Sequence, residues 1–184
     1  DVGAELWVEP SQTEAEVEGW VKRMADNKMR SARVFLMWNY IETAPKVYDF
    51  HLYDALFRAA ERYGVEIEAT LFCTHAPVFY CHNYAYSTQR HVLYYSKEIK
   101  ALSDDFVREC VVRYRDSKAL GSWWILNEAR SFKPNDPYTV EFMHKWLCDK
   151  YGTIEALNKA WITDFKSFDE IKYDAVWSKG GGFA

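Results

Sequence analysis

The stretch Trp123-Trp124-Ile125-Leu126-Asn127-Glu128 puts an amide and a carboxylate directly behind four apolar residues. A short apolar run bounded by turn residues reads as a buried strand, and Asn127 and Glu128 then stand at its C-terminal end. Polar and turn residues follow at once: Arg130, Ser131, Lys133, Pro134, Asn135 and Asp136. In parallel α/β folds this end of a strand is where ligands bind and chemistry is done. Taken alone, Glu128 fits an ordinary solvated loop carboxylate better than a catalytic one. The elements around the pair have to decide between the two readings.

Those elements alternate. Ala4 to Val8 reads as a short strand. Pro10 to Thr13 reads as a turn and cap, with Glu14 and Glu16 in the first turn of a helix, where negative charge favours the dipole. Val17, Trp20, Val21 and Met24 continue at helical spacing. A second strand runs from Ala32 to Met37, and a loop containing Pro45 from Trp38 to Asp49. Phe50 to Tyr63 is helical and Gly64 ends it. A third strand from Val65 to Phe72 precedes a long loop, 73–90, and a helix over 97–115. The fourth strand covers 120–126, and helices follow at Tyr138 to Lys150 and Ile154 to Trp161.

Strands separated by helices give repeated βα units on a parallel sheet. The loops after strands two to four are long and the returns short, which is the asymmetry of a (β/α)8 TIM barrel. A whole barrel takes about 250 residues. These 184 residues are therefore expected to be an α/β chain supplying the first four βα units, with 1–184 as the front part of one catalytic domain. The tail, Lys179 to Ala184, reads as a connector or a loop cut short.

A net charge of −4 with both signs interspersed argues against nucleic acid and anionic membrane as partners. No run of 18 apolar residues is present for a membrane span, and no signal peptide is visible, so a soluble, cytoplasmic protein is expected. Aromatic residues make up 17% of the chain. Most of them should serve the core, but sugar clefts also collect Trp and Tyr, whose flat faces stack on pyranose rings. The four cysteines, at 73, 81, 110 and 148, form no CxxC or CxC pair. Cys73 and Cys81 flank His75 and His82 at a spacing that matches no common zinc pattern.

Several segments together resemble glycoside hydrolase family 42, best known for β-galactosidase activity. Gly3 to Pro10 is similar to the family's first strand, with Glu9 at its Glu position. Arg33-Val34-Phe35, Trp38, Ile41-Glu42 and Tyr48-Asp49-Phe50 follow its second-strand pattern, and Thr70 to Pro77 its third strand and loop. The most specific match is Tyr151-Gly152-Thr153-Ile154-Glu155-Ala156-Leu157-Asn158-Lys159-Ala160-Trp161. The resemblance spans most of residues 3–171. Phe35 departs from the family's usual Gly, and 78–95 fits its loop poorly. The loop Ala129 to Pro137 lacks the cysteines that hold a structural zinc in many members, so no metal and no cofactor is carried over.

The resemblance implies a retaining glycosidase cleaving terminal β-D-galactosides. Such an enzyme uses two carboxyl groups about 5–5.5 Å apart, one as acid/base and one as nucleophile. Glu128 is the acid/base candidate, with a pKa raised by partial burial and by its partner's charge. Asn127 is expected to bind the sugar's 2-hydroxyl. Arg33 is expected to orient a carboxylate or bind a hydroxyl, or to form a structural ion pair inside the barrel. Glu9, Trp38 and His75 are further candidates for substrate contact. The nucleophile belongs at the end of the seventh strand, which this chain lacks. A homodimeric barrel would not supply it, because the third strand has no acid at its C-terminal end, and Glu68 is mid-strand and too deep for the mouth.

Three functions remain open on the sequence. The chain is the front half of a hydrolase that acts on an oligosaccharide and needs the rest of its barrel from the same or another chain. Otherwise it is a non-catalytic half-barrel that binds sugar through Trp38, Trp124 and Asn127, or another β-glycosidase of the same clan. The unpaired strand edges of a half-barrel also predict aggregation or a homo-oligomer.

Overall fold

The computed structural model describes residues 2–73, 75–80, 97–125, 127 and 137–172. Glu128, most of the loop after it, the segment 81–96 and the tail lie outside the described residues. The element order is β1 (Gly3–Leu6), α1 (Glu14–Asp26), β2 (Ser31–Met37), α2 (Trp38–Ile41), β3 (Glu42–Ala44), β4 (Val47–Tyr48), α3 (His51–Tyr63), β5 (Glu66–Phe72), α4 (Lys97–Tyr114), β6 (Leu120–Trp124), α5 (Pro137–Tyr151) and α6 (Ile154–Trp161). Single 3₁₀ turns sit at Val78–Tyr80 and Phe168–Glu170. The chain divides into two compact units, one of Asp1–Leu93 with Glu98–Ala129, the other of Tyr94–Lys97 with Arg130–Ala184.

In the first unit β1, β2, β5 and β6 lie side by side in that order, each neighbouring pair parallel. The two faces of this sheet separate by the period of two along each strand. Ala32, Val34, Leu36, Ile67, Ala69 and Leu71 join one core with α1, α3 and α4, through Val17, Val21, Leu56, Ile99 and Phe106. Each fully buried Val, Leu or Ile there contributes about 1.5–3 kcal/mol. The Arg58–Glu14 and Arg62–Glu18 pairs between α1 and α3 are largely exposed and contribute little by comparison.

The opposite face carries the polar and aromatic residues. Register places Glu5, Arg33, Glu68 and Ser122 in one row, and Phe35, Thr70 and Trp124 in the next, towards the C-terminal ends. Met37 and Phe72 follow, packed with Phe35 and Tyr40 in a separate small cluster.

Capping matches the sequence signals. Thr13 and Glu16 form a reciprocal capping box at the start of α1, and Gly64 closes α3 at φ 69°. Several boundaries differ from expectation: β6 ends at Trp124 rather than at 126, and Trp124 and Ile125 are exposed rather than buried. β1 ends at Leu6, because Val8 turns into the helix-side core and Gln12 ties the chain back: its side chain accepts from the Glu9 N–H at 2.8 Å and its own N–H donates to the Glu9 carbonyl at 3.0 Å. The expected loop from Trp38 to Asp49 contains α2 and the antiparallel β3–β4 hairpin. Elements of two to four residues are too short to show a period in sequence.

The second unit packs α5, α6 and the 3₁₀ turn at Phe168 around Met143, Leu147, Leu157 and Ile171. Thr153 caps α6 by accepting from the Ala156 N–H at 3.2 Å.

Candidate active site

Arg33 is the centre of the polar face. Its Nε donates to Thr70 Oγ1 at 3.2 Å, and a terminal guanidinium nitrogen donates to Asn127 Oδ1 at 2.9 Å. The planar group lies 4.4 Å from the Trp124 ring and 4.8 Å from the Phe35 ring, and Glu5 approaches at 4.0 Å. Arg33 thus bonds the Asn127 amide and the Thr70 hydroxyl and stands at ion-pair distance from Glu5. Because Arg only donates, it draws the amide oxygen of Asn127 to itself and leaves the amide N–H₂ free to donate elsewhere.

Glu128 itself lies outside the described residues, so the geometry stops at Asn127. His75 stacks on Phe72 with ring centroids 4.8 Å apart, which puts it beside the aromatic cluster at the C-terminal ends of the strands. Glu9 is exposed in the turn after β1 and lines a cleft together with Tyr40, Asp49 and His51.

Trp38 is placed differently from the substrate contact expected of it. It is 0% exposed and belongs to the helix-side core, between Tyr80 and Phe106 with ring centroids 5.9 Å away on each side. Its Nε1–H donates to Glu42 Oε2 at 2.5 Å. The other oxygen of Glu42 accepts from the Tyr80 hydroxyl at 2.5 Å and the Lys46 N–H at 2.7 Å. Glu42 is only 1% exposed, so these three donors are what make its burial tolerable. The group ties the segment after β2 to the segment after β5. Burial, with the nearby Glu42 hydrogen bond and charge, pushes the Tyr80 phenol well up, and burial and Glu42 push Tyr48 up to about 12.

Sequence reasoning did not single out Thr70, Glu5 or Trp7. Trp7 stacks on Phe35 at 4.9 Å and remains 47% exposed, as Trp124 remains 43% exposed. Strand alternation counted outward from Arg33 would have put Phe35 on its face, whereas Glu5 needed the β1–β2 register. Thr70 needed the β2–β5 register. Among the described residues no cluster of three His, Cys, Asp or Glu side chains is arranged to hold a metal ion.

The profile of the glycoside hydrolase 42 family, described as β-galactosidase, matches residues 9–176. The chain belongs to glycoside hydrolase family 42. It is 26% identical over 161 residues to the β-galactosidase LacZ of Heyndrickxia coagulans, covering 78% of this chain and 24% of that one. It is 33% identical over 81 residues to the β-galactosidase BgaA of Planococcus sp. (strain 'SOS Orange'), covering 44% of this chain and 12% of that one. Among solved structures it resembles the β-galactosidase of the psychrophilic Marinomonas ef1, with a TM-score of 0.74, 22% identity, and coverage of 94% of this chain and 29% of the other. The β-galactosidase of the Antarctic haloarchaeon Halorubrum lacusprofundi gives a TM-score of 0.72 at 23% identity, over 93% of this chain and 29% of the other. The four parallel strands are thus part of a TIM barrel, and the chain spans about a quarter of the length of these relatives.

The family 42 phrase at residues 151–161 has a structural explanation. Trp161 Nε1–H donates to the Tyr151 hydroxyl at 2.9 Å, Thr153 caps α6, and Leu157 is a core residue. Asn158 fixes the following loop by donating to the Phe165 carbonyl at 2.8 Å and accepting from Thr163 and the Phe165 N–H. The second-strand motif is similar: Trp38 and Glu42 are four residues apart because they bond each other across α2.

Proposed function

We propose that residues 1–184 are the N-terminal part of the catalytic barrel of a retaining β-galactosidase, acting on terminal β-D-galactosides of oligosaccharides. The observation that carries this reading is the Arg33–Asn127 hydrogen bond at the C-terminal end of the fourth sheet strand, directly before Glu128. The relatives' names, all β-galactosidases, support the sugar.

In this reading Asn127, oriented by Arg33, donates to the 2-hydroxyl, a contact that strengthens as the oxocarbenium-like transition state forms. Glu128 protonates the departing glycosidic oxygen and then, as base, activates the water that releases galactose. The nucleophile comes from a later strand of the completed barrel, in the same or another polypeptide. The His75–Phe72 stack and the exposed faces of Trp7 and Trp124 wall the sugar cleft. Glu9 lies apart from it in the turn after β1, and Trp38 acts through the buried Glu42 network that fixes the loops. The double displacement calls for no cofactor.

The test is Glu128→Gln in the completed enzyme. Turnover of an unactivated galactoside should fall by roughly 10²–10⁴-fold. An aryl galactoside with a good leaving group should lose less in the first step, and azide should restore the second and yield a β-galactosyl azide. Wild-type rates on unactivated substrates would reduce Glu128 to a loop carboxylate. The exposed Trp7 and Trp124 rings also suit a sugar-binding half-barrel without hydrolysis. The intact polypeptide mass separates the two readings: a mass near this chain's own favours binding alone.

A further inference from the structure

The Arg33–Asn127 constellation does not use the cleft of about 150 Å³ at the turn after β1, lined by Glu9, Tyr40, Asp49 and His51 against the apolar walls of Pro10 and Leu52. Asp49 Oδ1 accepts from the His51 backbone N–H at 3.0 Å and lies 2.7 Å from His51 Nδ1. Those two contacts, the backbone one first, hold the Asp49 carboxyl below the usual carboxylate range. Nδ1 faces Asp49, so the second ring nitrogen of His51 is the one left for a ligand. That nitrogen, the Glu9 carboxylate and the Tyr40 hydroxyl have no hydrogen-bond partner among the described residues. A concavity with apolar walls and a few convergent polar groups left open is the general form of a small-ligand site.

The chemistry of the lining selects the ligand. Glu9 and Asp49 bring two carboxylates, so an anionic ligand is repelled. Glu9, Asp49 and His51 are not arranged to hold a metal ion among the described residues. The cleft is smaller than the roughly 300–1,000 Å³ typical of drug-sized ligands, which limits it to one small ring. Acceptors dominate, so the ligand must be rich in donors. We propose that this cleft is a binding site for a single hexose-sized ring, taking an amino sugar in preference to a neutral one, and that it is separate from the cleft assigned to catalysis. A ring hydroxyl or ammonium bonds Glu9 and His51, Tyr40 closes over one edge, and the apolar ring face rests on Pro10 and Leu52.

The test follows the imidazole resonances of His51 by NMR while galactosamine, galactose or galacturonate is added to the whole chain. Galactosamine should shift them saturably at roughly millimolar concentration, galactose more weakly, and galacturonate not at all. Glu9→Gln and Tyr40→Phe, both outside the Arg33–Asn127 cluster, should each weaken galactosamine binding by about 5–10-fold. Arg33→Ala should leave the His51 response in place. Where association of the chain broadens the spectrum, retention of galactosamine by the immobilised chain gives the same comparison. An unchanged His51 signal with all three sugars, equal binding of galacturonate, or indifference to Glu9→Gln overturns the site. A response lost with Arg33→Ala assigns the sugar to the catalytic cleft instead, and leaves the proposed activity untouched.

Discussion

Arg33 shows how much one side chain can hold in place. It reaches Thr70 and Asn127 from two different nitrogens while its plane lies against Phe35 and Trp124. A lysine keeps the charge but has one small ammonium and no flat face. Arg33→Lys should therefore destabilise the chain by about 1–2 kcal/mol in urea unfolding. It should also lower kcat/KM of the completed enzyme by roughly 10²-fold, because a loosened Asn127 misplaces the sugar. Unchanged stability and unchanged Trp124 fluorescence would mean that the fork contributes nothing. The identity of this residue was readable from its strand position. Its partners were not, since Thr70 and Asn127 lie 37 and 94 residues away and meet it only through strand register.

Among the elements, the short hairpin and the end of α6 carry the sharpest expectations. Glu42, at the start of β3, satisfies Trp38, Tyr80 and Lys46 at once in a buried setting. Glu42→Ala leaves the buried Trp38 donor and the partly buried Tyr80 and Lys46 donors without their acceptor and should cost about 3 kcal/mol. Glu42→Gln should cost less, because its carbonyl keeps Tyr80 and Lys46 while its N–H₂ opposes Trp38. Denaturant midpoints in the order wild type, Gln, Ala check this; an Ala variant within about 0.5 kcal/mol of wild type counts against the network. At the end of α6, Ile162 sits at φ 57° and is 88% exposed. A β-branched residue is strained in that left-handed conformation, and little burial compensates. Ile162→Gly should stabilise the chain by about 1 kcal/mol, seen as a higher urea midpoint. A lower midpoint would show that the isoleucine side chain makes a stabilising contact. Helices α1 and α3 were legible from their apolar period and caps. The hairpin was not, because its register rests on Glu42 bonding into the core.

For the molecule as a whole, the tyrosines set an alkaline limit. Burial, the largest cause in each case, raises the phenol pKa of Tyr48, to about 12, and those of Tyr53, Tyr80 and Tyr114 from the ordinary 10.0. A raised phenol pKa means that the folded state holds its proton longer than the unfolded chain. The resulting stability is complete below about pH 10 and is lost as pH climbs through the folded-state values. Phenolate absorbance of these four should lag behind that of the unfolded chain above pH 10 and then rise together with loss of far-UV circular dichroism. A single smooth titration with the fold intact would contradict that burial.

The sequence by itself determined the alternation of strands and helices, the caps of α1 and α3, the family, and the position of Asn127 and Glu128 after the fourth sheet strand. Each of these rests on local spacing or on a run of neighbouring residues, which a linear chain displays directly. Only the tertiary structure decided that Trp38 serves the core rather than a sugar, that Thr70 supports Arg33, and that Glu9 shares a cleft with Asp49 and His51. Those outcomes depend on which face a strand presents and on which distant strand lies beside it. Parallel register across long crossovers fixes both, and no stretch of sequence contains that information locally.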